Sequence, residues 1–343
     1  MKKRIIYVDN FLSSHGHTPT TGTNLLEQFR QEGYTVIPTS RKNNKILRLF
    51  DMVFTILKNR KNAVVLIATY SELAFYFACI CALVCRMAGL SYVPCLHGGH
   101  LPRRVKRSPF LSSFYFGNSF CNVAVSGYLG NLMIENGWNA IEIPNNIPIE
   151  KYPYFHRKTI GPKLFWVRSF HENYNPQLAV KVLHGLLKKH PDATLTMVGP
   201  DKDDNSLAHC RELAIQLKVE NSITFTGLLT RNEWTTLSAD YDIFINTTNI
   251  DNLPVSVIEA MALGMVIIST SVGGVPFLVE NEKTGLLVPP NNEKAFLSAI
   301  ERVLKSHTLP SVLSENARIR AEKFDWKNVK LLWNELFEKV TKI

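Results

Sequence analysis

The feature that most constrains this 343-residue chain is a repeated alternation of short apolar runs with longer amphipathic stretches. Ile5–Val8, Thr35–Pro38, Ala63–Thr69, Tyr92–Leu96, Asn122–Val125 and Ile141–Ile143 are the runs of its first part. Runs of this length, mostly without strict polar alternation, suit parallel strands buried on both faces. Helical stretches fall between them: Thr23–Glu32, ended by Gly33, then Asn44–Asn59 and Leu73–Met87. A segment with three prolines, Pro144–Tyr154, breaks the pattern and reads as a linker. A second series follows, with strands expected at Leu164–Val167, Thr194–Val198, Ile223–Thr226, Ile243–Asn246, Val266–Thr270 and Gly285–Val288. Pro176–Lys189 and Leu207–Leu217 are among its helices. The pattern predicts an α/β protein of two Rossmann-like domains facing a cleft, residues 1–150 and 151–326.

Composition narrows the class. Apolar residues make up 45% and charged residues 20%, as in ordinary globular proteins. Cys79, Cys81, Cys85, Cys95, Cys121 and Cys210 lie mainly in apolar runs with no C-x-x-C pair, which predicts buried, reduced thiols in the cytoplasm. The apolar run after Lys2, Lys3 and Arg4 stops at Asp9, too soon for a signal peptide. Leu73–Cys85 is apolar, but Ser71 and Glu72 precede it and it falls short of the roughly 20 residues a bilayer needs. It is therefore expected as a buried helix. Charge is uneven: residues 1–150 hold 16 Lys and Arg against 8 Asp and Glu, while residues 151–343 hold 23 against 21. An excess confined to one part suggests a surface that meets something acidic.

The segment Asp251–Gly274, DNLPVSVIEAMALGMVIISTSVGG, carries the densest chemistry. Asp251 and Glu259 stand eight positions apart across the start of a helix, ahead of an apolar strand and a Gly-Gly turn. A helix N-terminus gathers unpaired N–H groups and partial positive charge, so it attracts phosphates and oxyanions. A carboxylate just before it can accept hydrogen bonds from sugar hydroxyls, and one two turns in can reach a ribose. Asp251 also suits a plain N-cap, with Pro254 in the first turn. Val257, Ile258, Met261 and Ala262 surround Glu259, so its carboxylate reads as buried and in need of partners. Arg168 follows the strand Leu164–Val167, at the edge where open parallel sheets bind ligands. His97 follows Tyr92–Leu96 and precedes Gly98-Gly99, a place for either a structural or a ligand-facing histidine. Gly22 opens the first helix, where a missing side chain lets backbone amides approach a phosphate or sugar. His15 and His17 have no carboxylate or cysteine at ligand spacing, so no metal is expected.

The acidic block resembles the E-x7-E block of the family-4 retaining glycosyltransferases (glycosyl transferases group 1), with Asp in the first position. The resemblance continues through Thr284–Pro290 (TGLLVPP), Phe225–Leu228 (FTGL) and Val198–Pro200 (VGP), and with looser matches it covers most of the chain. It implies the GT-B fold, in which the last helix, here Trp326–Lys342, crosses back so that residues 327–343 join the first, acceptor-side domain. It implies that Glu259 binds the donor ribose, Asp251 the hydroxyls of the transferred sugar, Arg168 the diphosphate and His97 the donor sugar. His97, Arg168 and Asp251 are then the catalytic set. Gly22, Gly199, Leu228, Leu253, Val255 and Ser256 join Arg168, Asp251 and Glu259 in binding the donor. The chain departs from the family at Asn252, commonly Gly, at Thr21-Gly22, commonly Gly-Gly, and at Asn173 and Tyr174, where a Lys is usual.

The resemblance implies a metal-independent, retaining hexosyltransferase that needs no cofactor. It would move a sugar from a UDP-, GDP- or ADP-sugar to a glycan or lipid-linked acceptor in cell-surface polysaccharide or glycolipid synthesis. A nucleotide-sugar epimerase or phosphorylase of the same fold, or a non-catalytic sugar-binding subunit derived from a transferase, is the alternative. A nicotinamide-dependent dehydrogenase is disfavoured, because neither βαβ opening carries G-x-G-x-x-G. Arg103, Arg104, Lys106 and Arg107, followed by Phe110, Phe114, Tyr115 and Phe116, make a basic-then-aromatic patch. With Asn44–Asn59 it suits an anionic membrane surface and a peripheral position on the cytoplasmic face, the other reading being a solvated loop beside a half-buried helix. No nucleic-acid motif accompanies it.

Overall fold

The structure is a computed structural model that describes residues 4–11 and 21–341; His15 and His17 lie outside the described residues. The chain divides into two compact units, Met1–Asn145 with Trp326–Ile343, and Asn146–Asp325. In the first unit, β1 (Arg4–Val8), β2 (Thr35–Thr39), β3 (Ala63–Thr69), β4 (Tyr92–Leu96), β5 (Asn122–Ala124) and β6 (Ala140–Glu142) form a parallel sheet in the order β2-β1-β3-β4-β5-β6. The helices between them are α1 (Thr21–Gln31), α2 (Lys45–Lys58), α3 (Leu73–Met87), α4 (Leu101–Arg107), α5 (Pro109–Gly117) and α6 (Gly127–Glu135).

Successive residues of a strand point to opposite faces, and here each face has its own core. Ile6, Val65 and Ile67 pack with Met52 and Ile56 of α2, Phe75 of α3 and Tyr115 of α5. Ile5, Tyr7, Val64 and Leu66 pack with Leu25, Leu26 and Phe29 of α1. Double burial is why these strands read as continuous apolar runs. Three expectations need correction. α1 begins at Thr21, so Gly22 lies in its first turn rather than ahead of it. Residues 101–117 form two short helices that bury Tyr115 and Phe116, because the aromatic run supplies one face of a helix. Helix α3 is only half buried: Leu73, Tyr76, Ile80, Leu83 and Met87 are exposed.

The second unit repeats the architecture. Its strands are β7 (Lys163–Val167), β8 (Thr194–Val198), β9 (Ile223–Gly227), β10 (Ile243–Asn246), β11 (Val266–Thr270) and β12 (Leu286–Val288), parallel in the order β12-β11-β10-β7-β8-β9. Its helices are α7 (Pro176–Leu187), α8 (Ser206–Gln216), α9 (Arg231–Leu237), α10 (Val255–Ala262), α11 (Val275–Leu278), α12 (Glu293–Lys305) and α13 (Leu309–Glu322). In both sheets the chain lays strands to one side of the first strand and then returns to the other. The reversal falls between β1 and β3 in one sheet and between β7 and β10 in the other. Loops diverge at such a point and open a crevice at the carboxyl ends of the strands.

The last helix, α14 (Trp326–Thr341), belongs to the first unit. Val329, Trp333, Leu336, Phe337 and Val340 lie along one helical face and join the α1 core. The Phe29 ring lies 5.3 Å from those of both Trp333 and Phe337. Removing a buried aromatic costs about 3–5 kcal/mol. Trp333→Ala is expected to lower the unfolding free energy of the first unit by that amount in a urea titration, and a loss below about 1 kcal/mol would contradict the packing role.

Candidate functional site

The switch point of the second sheet brings two expected residues into contact. Arg168 immediately follows β7, and Asp251 lies within the loop between β10 and α10. Their side chains form a hydrogen-bonded ion pair. The guanidinium also lies over the Tyr174 ring, 4.8 Å from its centroid, so the residue at the usual Lys position supports the arginine instead of adding charge. Arg168 Nε is buried without an acceptor, which leaves donor capacity facing inward. Asp251 Oδ1 accepts the Asn252 N–H at 2.9 Å and does not cap α10. The capping position is Pro254, which has no side-chain acceptor. The N-terminus of α10 at Val255 and Ser256 therefore carries no side-chain cap, and Ser256 Oγ is buried without a partner.

Two glycines fix this pair in place. Gly199, just after β8, has φ +151°, and a Cβ there would come within 1.8 Å of the Arg168 carbonyl oxygen. Gly273, φ +51°, would place a Cβ 2.0 Å from the Asp251 carbonyl oxygen, which accepts the Gly274 N–H at 3.1 Å. Gly199 thus acts on the site through the backbone of Arg168. Leu228 follows the edge strand β9 and is 65% exposed; β8 separates that strand from β7. The residue before it, Gly227, accepts the Gly199 N–H at 2.9 Å.

Glu259 lies in the buried α10, and sequence reasoning missed both residues that hold it. Tyr152 donates its hydroxyl to Glu259 Oε1 at 2.5 Å, and Arg231 Nε lies 3.4 Å from the same oxygen. Tyr152 comes from the end of the expected linker, within which the two units divide at Asn145 and Asn146, and it is buried in the second unit. Arg231 is the first residue of α9, a helix begun by a capping box between Thr230 and Glu233. That T-x-x-E spacing could have placed Arg231 at a helix start, but nothing local names its partner. Burial raises the carboxyls of both Glu259 and Asp251 above their ordinary values, outweighing the attraction of Arg231 and Arg168. Asp201 and Asp203 have D-x-D spacing, yet the Asp203 N–H bonds Asp201 Oδ1 at 3.1 Å in a local turn. Among the described residues no three His, Cys, Asp or Glu side chains gather as metal ligands would.

In the first unit His97 and Gly22 fall at the carboxyl ends of the strands, with two residues the sequence did not flag. The His97 ring lies 5.8 Å from that of Tyr70, and Tyr70 donates its hydroxyl to Asp9 Oδ1 at 3.4 Å. A Cβ on Gly22 would come within 2.6 Å of Asp9 Oδ2 and 2.9 Å of the Tyr7 ring, so glycine is what lets α1 start against the end of β1. Burial lowers the His97 pKa to about 4, and its Nε2 is buried without a partner. Neutral imidazole is the form present at pH 7.

A carboxyl whose native pKa is raised binds its proton more tightly when folded. Its stabilising contribution is complete below the unfolded value, 4.5 for Glu259, and is lost as pH rises through the native value. The stability of the unliganded wild type relative to Glu259→Gln is therefore expected to fall as pH rises above about 4.5, as read by urea titrations across pH. A flat difference would mean that folding leaves the Glu259 pKa unchanged.

Residues 155–320 match the family model described as glycosyl transferases group 1. An uncharacterized glycosyltransferase of Haemophilus influenzae is 28% identical over 201 residues, 55% of this chain and 54% of the other. A D-inositol 3-phosphate glycosyltransferase of Corynebacterium jeikeium is 24% identical over 190 residues, 54% and 44% of the two chains. The matches span about half or less of these relatives' length. Among solved structures, a sucrose-phosphate synthase from Thermosynechococcus elongatus superposes with TM-score 0.83 at 16% identity, covering 99% of this chain and 100% of the other. Anabaena HepE in complex with UDP-glucose superposes with TM-score 0.76 at 15% identity, covering 98% and 100%. The fold is thus GT-B, and residues 155–320, just under half of the chain, resemble the glycosyl transferases group 1 family.

Proposed function

We propose that the chain is a retaining glycosyltransferase that takes a nucleotide-sugar as donor. The observation that carries this reading is the Arg168–Asp251 pair set beside the uncapped N-terminus of α10, with Glu259 anchored in the same helix. An ionised donor diphosphate would take the Arg168 guanidinium and the α10 N–H groups. Arg231, near Glu259, supplies a second cation in place of the usual Lys. With that exchange Asp251 turns to the hydroxyls of the sugar, and Glu259 accepts hydrogen bonds from the ribose diol. HepE has been solved with UDP and with UDP-glucose, which supports a uridine diphosphate sugar as the first donor to try.

The sugar C1–oxygen bond to the diphosphate breaks as the acceptor oxygen bonds to C1 on the same face. The acceptor proton passes to the departing diphosphate oxygen. Two guanidinium groups and a helix N-terminus stabilise the charge that grows there, so the reaction proceeds without a metal ion. His97 keeps the role the resemblance gives it, contact with the donor sugar through its unpartnered Nε2. The acceptor is a glycan or lipid-linked hydroxyl of cell-surface polysaccharide or glycolipid synthesis. The described cysteines are all free and buried, which suits the reducing cytoplasm.

The test is incubation with UDP-, GDP- and ADP-sugars in the presence of a chelator, followed by thermal shift and by the anomeric configuration of the released or transferred sugar. Retention at C1 is expected. Arg168→Ala is expected to lower kcat/KM by roughly 10²–10³, and Glu259→Ala to abolish the shift given by the donor while the fold is kept. Donor binding without turnover in the wild type would leave only the non-catalytic alternative, and wild-type rates in either variant would remove the role assigned to that residue.

A further inference from the structure

We propose that the outer face of α2 and α3 is a docking surface for a lipid bilayer containing anionic lipids. Each helix buries one side in the core and presents an apolar stripe on the other. On α2, Met52 and Ile56 face inward, while Leu47, Phe50, Phe54 and Leu57 are exposed at spacings of three, four and three. On α3, Leu73, Tyr76, Ile80, Leu83 and Met87 are exposed at spacings of three, four, three and four. A strand-connecting helix normally turns charged residues to water; these turn large apolar ones. Phe50 is 69% exposed, Phe54 62% and Met87 81%. The two helices pack side by side, so the stripes form one broad apolar face of the kind that marks an interaction surface. Helix α5, which packs on α3, adds Phe110 at 91% exposure.

The charges around this face select the partner. Arg41, Lys42, Lys45, Arg48, Lys58, Arg60 and Lys61 flank or lie on α2, and Asp51 is the single acid in that segment. At the start of α3, Arg103, Arg104 and Arg107 of α4 line a recess with Ser71, Glu72 and His100. Arg104 is held there by the Ser71 carbonyl at 2.5 Å and the Tyr76 hydroxyl at 3.2 Å. Apolar side chains ringed by cations match the interface of an anionic leaflet, where the chains enter the acyl boundary and the cations meet phosphate groups. A second copy of the chain is a poor occupant, because two such faces would oppose like charges. The helices are built to hold this surface. Asn44 caps α2 by accepting the Ile46 and Leu47 N–H groups, and Arg48 bonds the carbonyls of Lys42 and Asn43 at its approach. No helix among the described residues is long and apolar enough to cross a membrane, so the surface lies on a bilayer rather than in it.

The experiment is flotation of the full chain with vesicles of phosphatidylcholine and phosphatidylglycerol in equal parts. The chain is expected to float with them at low salt, to be released by raised salt, and to partition at least about tenfold more weakly onto phosphatidylcholine alone. Phe50→Glu/Phe54→Glu is expected to lower partition onto the mixed vesicles at least about tenfold. Because both side chains are exposed, its thermal melt should match the wild type, and a matching melt ties the loss to the surface. Absence of flotation at low salt, or equal flotation of the double variant, overturns the proposal. So does a dimer seen by light scattering that the double variant dissolves while the wild type fails to float.

Discussion

Two carboxylates taken out of water are the costliest feature of the second unit, and much of its site follows from compensating them. An unpaired buried carboxylate loses several kcal/mol of hydration. Asp251 answers with the Arg168 guanidinium and the Asn252 N–H, Glu259 with the Tyr152 hydroxyl and the Arg231 guanidinium. Even so, burial keeps both carboxyls harder to ionise than in water. A ligand that brings hydroxyl donors to these oxygens and phosphates to these guanidiniums would relieve both kinds of group at once. The unliganded pairs thus hold in place the side chains that such a ligand would separate.

The backbone carries the precision of that arrangement. Gly199 and Gly273 stand where any side chain would strike the carbonyl oxygen of Arg168 or Asp251. Both ionic partners are thereby held from the main-chain side, by residues that touch neither charged group. In the first unit Gly22 does the same for the start of α1 against Asp9 and Tyr7. Strand order sets where these devices act, since each sheet reverses beside its first strand and chemistry-bearing residues follow the reversing strands.

The strands were legible in the sequence because double burial leaves long apolar runs, and the acidic block was legible because its spacing straddles a helix start. The partners of Glu259 were not. Tyr152 lies 107 positions away in a segment that reads as a linker, and only folding brings the two together. The aromatic run at 110–116 shows the same limit, since hydrophobicity alone does not say that Tyr115 is core and Phe110 surface. Leu73–Met87 is the sharpest case. Its composition reads as a fully buried helix, and only the positions of the sheet and of α2 reveal that a regular apolar stripe is left facing outward.

Helix α14 completes the α1 side of the first core, although some 180 residues of another unit are translated before it. A polypeptide leaves the ribosome in order, and domains commonly acquire structure as they emerge. Here the contiguous second unit can mature while Phe29 and its neighbours still await Trp333 and Phe337. During that interval the nascent chain holds an unfinished apolar surface that chaperones would recognise, so the segment made early is the one that finishes late.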